Sequence, residues 1–69
     1  MSAPHLIDRY HYVVGWDIER DTYIATCREF PELLAESDTT ENALAVLKAK
    51  VLDAVLDLLE RHKTPPDPA

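Results

Sequence analysis

Apolar positions along the chain change their period once, near residue 38. From residue 10 to residue 17, "YHYVVGWD", aromatic and β-branched residues alternate with smaller or polar ones. Two-residue alternation puts Tyr10, Tyr12, Val14 and Trp16 on one face of a strand, with His11, Val13, Gly15 and Asp17 on the other. "IERD" is a polar turn. "TYIATCR" reads as a second strand, with Tyr23, Ala25 and Cys27 on one face and Ile24 on the other. The pair predicts an antiparallel hairpin, and the brief apolar "LLAE" after "EFPE" predicts a third strand.

After "SDTT" the period becomes helical. Oxygen-bearing side chains cap free N–H groups at a helix start, and Thr39 is the expected cap. Asp38 and Glu41 add negative charge at the positive end of the helix dipole. No Pro or Gly interrupts the chain from there to about His62, where "KTPPDPA" ends the helix. His62 is placed as a favourable cation at that C-terminus. Roughly 22 helical residues span about 33 Å, longer than three short strands cover.

The helix carries more apolar surface than one sheet needs. At about 100° per residue, Leu44, Leu47, Val51, Val55 and Leu58 form one stripe, and Ala45, Ala49, Leu52, Leu56 and Leu59 form a second beside it. Together with Ala54 they span an arc of roughly 220°, where a helix lying on one layer needs about 100°. Lys48 falls inside that arc, its stem able to lie along it with the charge in water. The first stripe packs on the sheet; the second is expected to form a homodimer or higher oligomer, or to dock another protein.

The pattern therefore predicts an α+β domain of β-β-β-α order, a three-stranded antiparallel sheet packed on one long helix. Residues 1–69 form one domain, with 1–8 a loose lead-in and 63–69 a Pro-rich tail, the only stretch left for a fourth strand. A chain this short buries only about 60% of its unfolded surface, so association is a natural source of further stability.

Charge sharpens the picture. The net charge is −6, and eight acidic against two basic residues between Asp17 and Glu41 account for all of it. A negative field repels nucleic acid and favours a basic partner, so no direct nucleic-acid binding is expected. The candidate partner-binding residues are Asp17, Glu19, Asp21, Glu29, Glu32 and Glu36. One cysteine, Cys27, leaves no disulfide and points to a reducing, cytoplasmic setting, with Cys27 itself a small core residue. No signal peptide or membrane segment is legible.

Little catalytic chemistry is readable. His5, His11 and His62 are scattered and no Cys stands at ligand spacing, so neither metal nor cofactor is expected. "DIERD" spaces acids like a calcium loop but lacks its Gly and its closing Glu. With Gly15 the single glycine, no phosphate-cradling loop exists. Trp16 and the tyrosines suit a core or an anchor in an interface. The expectation is a non-enzymatic protein.

The order of these segments resembles the HicB-like antitoxin family over residues 10–68. Tyr23, Phe30, Pro31, Asp38, Thr39, Glu41, Ala43 and Leu44 stand at the matching positions of "YIATCREFPEL" and "SDTTENAL". The resemblance implies a sheet-and-helix unit like a truncated ribonuclease H fold without its active site. It also implies binding and occlusion of a small basic, RNA-cleaving HicA-like toxin. Longer members commonly add a C-terminal DNA-binding domain; "KTPPDPA" stands there instead, so operator binding by this chain alone is not expected. The other expectation is a family member without a toxin, acting as a self-assembling or regulatory module.

Overall fold

A computed structural model describes residues 7–67. The chain forms β1 (Tyr12–Asp17), β2 (Thr22–Cys27), β3 (Phe30–Ser37) and α1 (Thr40–Glu60). The strands make one antiparallel sheet in the order β1-β2-β3. This is the expected α+β class and β-β-β-α order. Residues 1–6, which include His5 and most of the expected lead-in, lie outside the described residues, as do residues 68–69.

The β1–β2 register pairs Tyr12 with Cys27, Val14 with Ala25 and Trp16 with Tyr23. Alternation therefore aligns these six side chains on the helix-bearing face, where Ala25 and Cys27 are fully buried. Tyr10 does not extend β1. It lies in the bend before it, buried edge-on against Phe30 with ring centroids 5.6 Å apart, and its O–H donates to Pro66 O at 2.8 Å. Tyr12 O–H donates to Ile7 O at 2.6 Å. The first bond ties the segment before β1 to the tail, and the second ties it to β1. Ile7 and Tyr10 thereby join Val55 in the buried cluster, sheltering helix length that the strands alone would leave bare.

β3 is longer than "LLAE" suggested. Its pairing to β2 shifts between Thr26 and Cys27: Thr26 faces Leu34, whereas Cys27 faces Phe30. Pro31, Glu32 and Leu33 fill the irregularity. An N–H-less proline is tolerated there because β3 is an edge strand.

Thr39 is the helix cap, its Oγ1 accepting from Asn42 N–H at 3.1 Å. At the other end the helix stops at Glu60. Lys63 N–H donates to Leu58 O at 2.8 Å and His62 N–H to Leu59 O at 3.0 Å. His62 takes φ 60°, the left-handed conformation that this C-terminal motif requires and that glycine usually supplies. Along α1, Ala43, Leu47, Val51 and Val55 are buried on the sheet.

Candidate protein-interaction surface

Two features outside the core combine charge or apolar surface with exposure, the open face of the sheet with its hairpin and the far flank of α1, and a third cluster of polar groups gathers around Glu29.

The open sheet face is set by the same alternation that fills the core. Val13 pairs with Thr26 and Thr26 with Leu34, and Gly15 pairs with Ile24 and Ile24 with Glu36, in rows on the side away from the helix. Val13 is 62% exposed and Leu34 is also exposed. At one end the hairpin turn carries Ile18, 82% exposed. Val13, Gly15, Trp16, Asp17, Ile18, Glu19, Ile24 and Thr26 line a shallow depression. Gly15 forms part of its floor, because an added Cβ would meet nothing within 4 Å.

Four of the six candidate acids gather around this end. Asp17 Oδ1 accepts from the N–H groups of Glu19 (3.0 Å) and Arg20 (3.3 Å), which fixes the turn. Asp21 completes it at φ 56°, a conformation that Asp tolerates. Arg20 reaches Glu36 Oε2 at 2.7 Å and Asp17 Oδ2 at 3.9 Å, so Glu36 is drawn to the turn from β3. Exposed pairs of this kind contribute little to stability, and their main effect is to arrange charge. Around the exposed Ile18 stand Asp17, Glu19, Asp21 and Glu36 with a single arginine among them.

Glu32 and Glu29 lie elsewhere, toward the Phe30 end of the sheet. Glu29 is engaged within the chain. Its side chain is only 5% exposed, and it accepts from His11 N–H at 2.9 Å while meeting His11 Nδ1 at 2.7 Å. Cys27 Sγ donates to it at 3.6 Å. Burial by itself would push the carboxyl up, but the His11 hydrogen bonds outweigh it and hold the pKa down to about 2. Burial raises the Cys27 thiol, so this thiol is a core group and not an activated nucleophile. Burial likewise pushes Tyr12 up to about 12. Among the described residues no group of His, Cys, Asp and Glu could hold a metal ion.

The second helix stripe is largely uncovered within one chain. Ala45, Ala49, Leu56 and Leu59 are exposed and Leu52 is half-buried. Lys48 lies where its stem was expected, with Nζ 5.3 Å from the centre of the Tyr12 ring. No helix among the described residues is long and apolar enough to cross a membrane.

Sequence reasoning found the acids but missed Val13, Ile18, Ile24 and Leu34. The signal was there: Val13 and Ile24 oppose the core-facing positions of their strands, and Ile18 is an apolar residue inside a charged turn. The fold and surface thus define a small α+β domain with an acid-rimmed apolar sheet face. Comparison with family models, curated proteins and solved structures finds no match for the chain.

Proposed function

We propose that this domain is a non-catalytic protein-binding module, antitoxin-like, that occludes a small basic RNA-cleaving protein of the HicA-like kind. The observation that carries this reading is the pairing of exposed Ile18 and Val13 with the carboxylates of Asp17, Glu19, Asp21 and Glu36. An apolar centre with a charged rim is the usual anatomy of a protein interface, and the negative rim selects a positive partner. The family resemblance supplies the identity of that partner, and a cytoplasmic setting follows from it.

Co-expression tests the proposal. A basic protein encoded in the adjoining reading frame is expected to co-purify with this chain and to lose its toxicity. Ile18→Lys combined with Glu19→Lys, both in the exposed turn, is expected to weaken the complex at least tenfold. A toxic neighbour that stays toxic and unbound in the presence of this chain would remove the antitoxin reading.

A second reading is favoured by the bare helix stripe. A self-assembling module without a toxin would use Ala45, Ala49, Leu52, Leu56 and Leu59 to associate with copies of itself. The two readings are compatible, since the stripe and the acidic turn occupy different faces.

A further inference from the structure

The two edges of the sheet are unequally protected. On β3, Pro31 and the register shift interrupt the edge, and Lys50 Nζ donates to the outward carbonyl of Leu34 at 2.9 Å. A proline, an irregularity and an edge lysine are devices that stop a strand from pairing with another chain. β1 has none of them. Arg28 N–H donates to His11 O at 2.9 Å, so the backbone of His11 points toward β2. By antiparallel alternation Val13, Gly15 and Asp17 do the same, leaving the N–H and C=O groups of Tyr12, Val14 and Trp16 directed outward. Among the described residues no strand pairs with that edge.

The same side of the molecule also carries the uncovered apolar flank of α1. Lys50 on the helix reaches β3, whereas Lys48 lies over Tyr12 on β1. These two residues bracket the core-facing direction, so the flank next to Lys48 is the β1 side. On the helical wheel Ala45, Leu52 and Leu59 follow Lys48 on that flank, while Leu56 and Ala49 lie further round, toward the crest away from the sheet. The helix packs mainly on β2 and β3, leaving Trp16 on β1 half bare.

We propose that β1 is a homodimer edge: two copies pair their β1 strands antiparallel about a two-fold axis, forming one six-stranded sheet. Centring the axis on Val14 sets Tyr12 of each copy opposite Trp16 of the other. The outward backbone groups of all three residues are then paired. The same register brings His11 opposite Asp17 at both ends of the ladder. A second copy is the occupant whose edge matches this one group for group, through a closed isologous contact.

The geometry also ranks the contributors. With strands about 4.8 Å apart, a helix centred over β2 and β3 stands roughly 10 Å from the axis, so the two helices lie about 19 Å apart. Direct helix packing needs about 8–10 Å. The space between them is a trough floored by Tyr12, Val14 and Trp16 of both copies, with Ala45 and Lys48 of each helix along its walls; Leu59, about 16 Å further along α1 than Lys48, lies past the end of β1. Leu56 and Ala49, on the crest, are left outside. This deepens the self-association reading and is independent of the toxin.

Light scattering and amide hydrogen exchange on the full chain test it together. The expected mass is twice the 7.8 kDa of one chain at micromolar concentration, with slowed exchange at the Val14 and Trp16 amides. Val14→Pro removes an N–H that the β1–β2 ladder does not use and is expected to raise the dimer dissociation constant at least tenfold. Leu56→Glu is expected to leave it within twofold. A single-chain mass for the folded protein overturns both the proposal and the self-association reading. A dimer whose Val14 and Trp16 amides exchange as freely as an open edge overturns only the β1 pairing. In that outcome association through the α1 stripe still stands.

Discussion

Truncating Leu47 to alanine is the sharpest test of which helix face forms the core. Leu47 is 0% exposed and belongs to the cluster that includes Ala25, Ala35, Val51 and Val55. The substitution removes three buried carbons, about 2.4 kcal/mol of transfer free energy at about 0.8 per carbon. A cavity contribution raises the expected loss to about 3–5 kcal/mol. A domain of 69 residues has roughly 3–10 kcal/mol in total. Leu47→Ala is therefore expected to remove about a third or more of the domain's stability. Leu56→Ala makes the same chemical change nine positions along the helix, where the side chain is 46% exposed, and should cost under about 1 kcal/mol. Urea titrations followed by far-UV circular dichroism, at one fixed protein concentration, compare the two variants. Similar losses for both, or a loss under about 1 kcal/mol for Leu47→Ala, would show that the stripe assigned to the core is not the one that holds the fold.

Three further outcomes are expected. Glu29 has its carboxyl held at about 2 in the folded chain, below the ordinary value of 4.5. Its contribution is therefore fully present above about pH 4.5 and lost as pH falls toward 2; urea midpoints of wild type and Glu29→Gln should differ most near neutrality and converge in acid, and a constant gap would refute the His11 clamp. His62→Gly should stabilise the domain by about 1 kcal/mol, because the left-handed φ of 60° costs a residue with a Cβ about that much; no gain in thermal midpoint would contradict the assigned helix end. Gly15→Ala meets no atom within 4 Å and has no positive φ, so it should stabilise by about 0.4–1 kcal/mol. If the depression beside Ile18 receives a partner, the same change should weaken that complex, which co-purification would detect.

Much of the fold was legible because its signals are local. The change of period at Thr39 placed the helix and its cap, since a capping oxygen and a run free of Pro and Gly act within a few residues. Tyr23, Ala25 and Cys27 shared a face for an equally local reason: adjacent strand residues point to opposite sides. The acidic stretch was also plain in the sequence, but its division was not. Glu29 and Glu36 read alike as exposed carboxylates, yet one is held beneath His11 and the other is drawn to Arg20. Those partners lie 18 and 16 positions away, and only strand pairing brings them close.

What the sequence determined alone was therefore the element order, the shared faces of β1 and β2, the sheet-facing stripe of α1, and an excess of apolar helix surface. Tertiary structure decided where that excess lies. A helical wheel measures an arc but has no neighbours, so it cannot say which flank overlooks which strand. Lys48 over Tyr12 and Lys50 on the Leu34 carbonyl provide that orientation. They also separate a guarded edge from an unguarded one. Edge protection depends on long-range contacts between helix and sheet, and on a register shift that follows from how β3 meets β2. Neither has a counterpart in the linear order of residues.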